Sequence, residues 1–389
     1  MARMRFGVFV APHHPVGEHP TLQFERDLQF AEQVDELGFD EIWVGEHHSG
    51  GWETIGHPEM FLAAAAQRTH RIKLGTGVTS LPYHHPYNVA GRIAFLDHLS
   101  RGRAILGTGP GALPSDARTF GIDPVCLRDR QDEALSAIIP LLRGDEPVTV
   151  STDWFELKEG YLQVKPVQEN LEVVAAVSIS PSGMKLAGKY GLGVISVASY
   201  SEEGLAALPT QWSWAETYGQ EFGNAVSRDN WRVMMPFHIA EDRETAFNEI
   251  YDGLLHWHNG YNVDTLARPG SERADDPKGF AHRMVERGGA IVGTPDDAVE
   301  AIAHLQELSG GFGTLVGFVH DWANPDAMRR SYDMFARYVI PRVQGLLRPV
   351  ETSAAMLQSN NKELMEQAGQ GILKAIREHN KTHPRAAKS

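Results

Sequence analysis

The chain has 389 residues, 42% of them hydrophobic, which is enough to bury a large core, and it carries 50 acidic against 36 basic residues. The resulting net charge of −14 argues against a nucleic-acid groove or an anionic membrane surface as partner. A single cysteine, Cys126, excludes an intramolecular disulfide, no apolar run reaches the length of a membrane span, and a strand pattern beginning at residue 5 leaves no room for a signal peptide, so the cytoplasm is the expected location.

Short runs rich in Val, Ile and Phe alternate with helical patterns, as repeated βα units do. Strands are predicted at 5–10 (RFGVFV), 41–46 (EIWVGE), 73–80 (KLGTGVTS) and 104–109 (AILGTG). Four more follow at 172–178 (EVVAAVS), 191–198 (GLGVISVA), 231–240 (WRVMMPFHIA) and 314–320 (TLVGFVH). Between them apolar residues recur with a period of 3.6 over 22–37, 58–69, 86–100, 130–142 and 181–190, the pattern of helices with one buried face. Eight strands with intervening helices predict an α/β fold, a (β/α)8 TIM barrel, as one domain over 1–348. Residues 146–166 read as a hairpin insertion, TVSTDWFEL and then YLQVKP. Residues 259–290, polar and broken by Pro and Gly, fall between strands seven and eight, where an insertion sits on the catalytic rim. They read as a mobile lid with little apolar surface to bury. From 349 to 389 the chain reads as a helical tail.

In such a barrel the chemistry sits where strands end. Glu46-His47-His48 closes the second strand. The imidazole of His47 can give or take a proton near neutrality, or it is a rim histidine that only packs. His48 points the other way along the strand and reads as structural. The pairs His13-His14, His47-His48 and His84-His85 are adjacent, so their rings face opposite sides, and no metal site is expected. Ser180-Pro181-Ser182-Gly183 opens a helix after the fifth strand and reads as an anion site or a plain N-cap. Trp52, Tyr83, Phe237, Trp257 and Trp322 are candidates to line an apolar pocket, whereas Trp231, at a strand start, reads as core.

The combination RFGVF, ELGFDEIWVGEHH, IKLGTGVTSLPYHHP, LDHLSRGR, GTGPG and RTFGID, with GTPDDAVEAI at 293–302, resembles the bacterial luciferase-like flavin-dependent monooxygenases from residue 5 to about 345. FGVFVAPHHPVGE, EHHSGGWE and GPGALPSD are most similar to the limonene 1,2-monooxygenase branch. The resemblance implies reduced FMN, with FAD or deazaflavin as alternatives, supplied by a separate NAD(P)H-dependent flavin reductase. It implies that O2 adds to the flavin as a C4a-(hydro)peroxide and oxygenates a small apolar substrate such as a monocyclic terpene. The alternative activity on this scaffold is deazaflavin-dependent hydride transfer. A homodimer is implied too, packed through early helices such as 58–69.

By the same resemblance His47 and Asp116 are catalytic. Gly77 and Val78 lie against the flavin ring across a non-proline cis peptide, and Arg128 and Ser180, with Ser182 and Gly183, hold the phosphate. The plain readings are a glycine that relieves crowding, a helix cap at Asp116 and a solvated charge at Arg128. One departure stands out: Gly109-Pro110 replaces a cysteine–arginine pair, so one phosphate-binding arginine of the family is missing.

Overall fold

The computed structural model describes residues 3–11 and 13–383. It divides into two units, 1–340 and 341–389.

The first unit is a closed parallel barrel. Its strands are β1 (Arg5–Val10), β2 (Glu41–Val44), β3 (Lys73–Thr76), β4 (Ala104–Gly109), β5 (Glu172–Val177), β6 (Gly193–Ser196), β7 (Trp231–Ile239) and β8 (Thr314–Val319). Each pairs with the next in parallel, and β8 returns to β1 in register, Arg5 opposite Thr314. These strands are buried on both faces, by helices outside and by their own side chains inside, which is why they read as nearly unbroken apolar runs. The helices set themselves off by local chemistry. Pro20–Leu37 begins with proline and ends on Gly38 at φ 88°, and Pro295–Ser309 starts in a capping box between Thr294 and Asp297.

At the N-terminal ends of the strands, Arg232 is wholly buried. Its guanidinium meets Glu41 at 2.7 and 2.8 Å and Glu172 at 2.7 Å, and it lies 5.1 Å from the Trp43 ring centroid. This ionic floor closes the end of the barrel opposite to the rim.

The insertions differ in detail from the expectations. The hairpin pairs Val148–Ser151 with Glu156–Gly160, not with 161–166. Its turn falls at 152–155 because the Thr152 hydroxyl accepts from the amides of Trp154 and Phe155, a local alternative to the strand ladder. The segment between β7 and β8 buries more than its polar composition suggests. It forms a π-helical turn, His258–Thr265, with Tyr261 and Asn262 buried, and a helix, Pro277–Glu286, with Ala281 and Met284 buried. That helix is capped by Asp276, whose side chain accepts from the Gly279 amide.

The second unit is a helix, Arg348–Thr382, with no buried residue. Its charged residues leave one stripe free, where Val350, Leu357, Leu364 and Ile372 recur at helical spacing and stand exposed. Among the described residues no helix is long and apolar enough to cross a membrane.

Candidate active site

The loop after β2 builds the site by folding back on itself. Gly50 and Gly51, at φ 87° and 77°, supply the left-handed turn, and the His47 amide then donates to Ile55 O at 3.1 Å. Glu53 therefore returns to face His47, Oε2 to Nε2 at 3.0 Å. On the other side of the ring, Nδ1 lies 3.1 Å from Asp116 Oδ2. Two carboxylates leave no acceptor role for either nitrogen, so both carry protons and His47 is an imidazolium. Burial opposes that charge, but Glu53 and Asp116 outweigh it and push the pKa up to about 10. Burial alone would raise Glu53 as well; the histidines at 47 and 13 instead hold it well below the usual carboxylate range.

Asp116 lies in the short helix Pro114–Thr119, whose N-cap is Leu113, so it is not the cap. It accepts from the His48 amide at 3.1 Å and from the Ser49 hydroxyl, fastening the β2 loop to the β4 loop behind His47. With 1% of its side chain exposed, it orients the imidazole rather than facing the barrel mouth. His48 turns away, as strand alternation predicts. Its Nε2 meets Glu46 at 2.9 Å, and Glu46 also takes His84 at 2.8 Å and the Ser80 amide at 2.8 Å.

The Gly77–Val78 peptide is cis. A Cβ on Gly77 would lie 2.7 Å from the Phe9 ring, so crowding inside the barrel already demands glycine here. Ser182 opens the helix Ser182–Tyr190, whose N-cap Pro181 makes no side-chain cap. Ser180 and Ser182 bond each other at 2.9 Å instead of capping. Gly183 packs against β5, where a Cβ would meet Ala176 O at 2.5 Å. Arg128 is exposed on the first turn of the helix Leu127–Arg143, with no ion pair among the described residues.

Asp132, one turn further along that helix, bonds Lys189 at 2.7 Å and the Tyr190 hydroxyl at 2.6 Å, so this face looks at the serine-headed helix. Arg128 shares the face at i−4 and stands about 6 Å nearer the rim, while Ser182 stands roughly 10 Å above Lys189. The two helices thus bring Arg128 and the Ser180–Gly183 turn to one side of the mouth.

The aromatic candidates separate. Trp52, Trp257 and Trp322 cluster with His13, Tyr261 and Phe318 above the barrel interior. Tyr83 stacks on Phe120 at 4.8 Å beside His48. Trp231 is core, its Nε1 donating to Ser196. Phe237 is a correction: it stacks on Phe335 at 4.2 Å and packs on Tyr332, outside the barrel. In a strand buried on both faces alternation does not tell inside from outside. The largest cavity, about 860 Å³, also lies elsewhere, between the helices Arg243–Trp257, Pro277–Glu286 and Pro295–Ser309.

Three residues of the site escaped the sequence reading. Glu53 lay inside the EHHSGGWE motif, where a double glycine before an acid signals a chain that turns back. His13 bonds Glu53 Oε1 at 3.1 Å, and the Tyr261 hydroxyl donates to the same oxygen. Nothing local in the sequence links either of them to His47.

A parallel barrel that keeps its ionisable chemistry on the loops after β1, β2 and β4 and under the segment after β7 is an enzyme of the (β/α)8 class, working at its C-terminal rim. This chain belongs to the luciferase-like monooxygenase family, whose profile it matches over residues 4–310. It is 45% identical to 4-hydroxyprotoasukamycin monooxygenase of Streptomyces nodosus subsp. asukaensis, over 91% of this chain and 96% of that one. It is also 45% identical to limonene 1,2-monooxygenase of Rhodococcus erythropolis, over 89% and 88% respectively. The oxygenating constituent of 3,6-diketocamphane monooxygenase from Pseudomonas putida, a type II Baeyer–Villiger monooxygenase solved with FMN, superposes with a TM-score of 0.72 at 26% identity, over 87% of this chain and 98% of that one. The protein is a flavin-dependent monooxygenase.

Proposed function

We propose that the protein is the oxygenase of a two-component system, taking reduced FMN from a separate NAD(P)H-dependent flavin reductase and using O2 to oxygenate a small apolar molecule such as a monocyclic terpene. The observation that carries this reading is His47, a doubly protonated imidazole fixed at the barrel mouth beneath an aromatic wall. The residues present fit a flat group with an anionic tail. His13 Nδ1 and the Tyr83 hydroxyl are buried without a partner near the mouth, and the helix start at Ser182 is uncapped. Arg128, Ser180, Ser182 and Gly183 hold the phosphate, and the Gly77–Val78 backbone lies against the ring. Bound reduced flavin supplies the electrons that activate dioxygen.

His47 holds one proton at Nε2 and one at Nδ1 and is placed to give one up, while Asp116 fixes its orientation. Trp52, Trp257 and Trp322 keep water out, with the 259–290 segment as their cover. The two 45% relatives are named for different substrates, so the substrate class is argued from this apolar wall, which suits a terpene-sized hydrocarbon. A homodimer is part of the reading. Met60 and Phe95 stand 73% and 63% exposed on the neighbouring helices Pro58–Ala66 and Pro86–Ser100, an apolar patch a second copy would cover.

Anaerobic titration of the apoprotein with reduced FMN, FAD and deazaflavin, followed by oxygen and limonene, tests the proposal. Tight FMN binding with an oxygenated product is the expected result. Binding of deazaflavin alone would overturn it in favour of hydride transfer, a reading to which the arginine-free Gly109-Pro110 turn lends itself.

A further inference from the structure

Both ring nitrogens of His47 are committed to carboxylates, so a proton can leave only when one of those bonds gives way. The Asp116 side is anchored. That carboxylate is also held by the His48 amide and the Ser49 hydroxyl, and all of these belong to the loops after β2 and β4. The Glu53 side reaches further. Oε2 faces His47, while Oε1 takes His13 Nε2 from the loop after β1 and the Tyr261 hydroxyl from the π-helical turn after β7.

Tyr261 is well seated there. Its ring lies 4.5 Å from His13 and 5.7 Å from Trp52, centroid to centroid. The turn that carries it is pinned by Asn259, which donates to Ala274 O at 2.8 Å and accepts from the Ala274 amide at 3.0 Å. His13 bridges to Glu53 through the backbone, and the His14 amide donates to Trp52 O at 2.9 Å. Glu53 is thus gripped by the β1 loop whether or not the β7 segment is docked, and only the Tyr261 bond depends on that segment.

We propose that Glu53 is a positioning residue for His47, and that Tyr261, docking with the segment between β7 and β8, loosens the hold of Glu53 on the Nε2 proton and so readies His47 for proton transfer. This rests on the role proposed above for His47. Each donor that binds a carboxylate satisfies part of its charge and makes it a weaker acceptor for the rest. With Tyr261 and His13 on Oε1, Oε2 pulls less on His47; with the segment away, Glu53 pulls harder and the proton stays. Burial and the Glu53 charge push the Tyr261 phenol up, so it remains a donor throughout. In the transfer itself the N–H bond at His47 Nε2 breaks and its electron pair stays on the ring. The proton passes to an oxygen on the substrate side, while Glu53 keeps its charge and Tyr261 its proton. The charged and titratable groups around His47 are Glu53 and Asp116 in contact, His48 next in the chain, and His13 and Tyr261 beyond Glu53.

The test is a histidine-selective NMR titration of the full chain without flavin, with the His47 signal assigned by its loss in His47→Ala. Tyr261→Phe should raise the His47 titration point by about half a pH unit, and Glu53→Gln should lower it by at least about one unit. Glu53→Asp should restore part of that loss. Under turnover, Tyr261→Phe should lower kcat more than it changes KM. A Tyr261→Phe titration that is unmoved, or moved downward, overturns the coupling whatever His47→Ala does to product. Full product from His47→Ala overturns the proposed function, and with it the catalytic meaning of the coupling. Should Glu53→Gln fail to fold, the Tyr261→Phe shift decides alone, since that variant keeps the packed ring.

Discussion

Replacing His47 by glutamine should destabilise the protein in a manner set by pH. In the folded state the imidazolium is held at about 10 against an ordinary value of 6.5. At about 1.4 kcal/mol per unit, that difference amounts to about 5 kcal/mol. An independent figure agrees: breaking a buried ion pair by removing one partner costs about 3–5 kcal/mol, here because Glu53 and Asp116 would confront each other across a neutral amide. Since the folded value lies above the unfolded one, the contribution is whole below pH 6.5 and drains away as pH climbs towards 10. On the acid side, Glu53 and Asp116 are both held below their ordinary values, so their share is present above about pH 4.5 and lost as they protonate. Urea unfolding of wild type and His47→Gln at a series of pH values measures the difference directly, because titrations common to both cancel. The gap in midpoint should be widest between about pH 5 and 6.5 and nearly closed at pH 10. A gap that is absent, or that widens with pH, would refute the account of His47 as a charge held between two carboxylates.

Arg128→Ala and Ser180→Ala should each weaken reduced-flavin binding by about 1–3 kcal/mol while leaving the saturated rate nearly unchanged. Unaltered affinity in both, read by anaerobic titration, places the phosphate elsewhere. Phe95→Asp should put a charge into the patch assigned to the second copy, so light scattering should fall to the mass of one chain, near 43.0 kDa, whereas an intact dimer moves the interface to another face. Arg232→Met should cost about 3–5 kcal/mol in unfolding free energy by stranding Glu41 and Glu172, and a loss below 1 kcal/mol would mean that water already reaches them.

All eight barrel strands were legible in the sequence, because strands covered on both faces leave nearly continuous apolar runs. The same property hid direction, so Phe237 was read as facing the rim when it packs outward on Phe335. The hairpin turn was displaced by one hydroxyl, that of Thr152, whose bonds no periodicity announces. His47 was legible through its motif, but its environment was not. Glu53 meets His13 across 40 residues and Tyr261 across 208, and contacts at such separations are products of barrel closure, not of local pattern. The 259–290 segment misled for a related reason. Its overall polarity concealed Tyr261, Ala281 and Met284, placed where the barrel needs a cover.

With Arg232 and its two glutamates plugging the far end, the barrel is a cup and not a tube. Whatever reaches its interior must leave by the doorway it came in through. Flavin, oxygen, substrate and product therefore queue at one threshold, and a spent cofactor or a lingering product blocks the traffic of everything else. Enlarging the interior for a bulkier substrate would gain little unless the doorway widened with it. The loops after β1, β2 and β7, which frame that threshold, are the place to alter turnover, while the cup's base can be left alone.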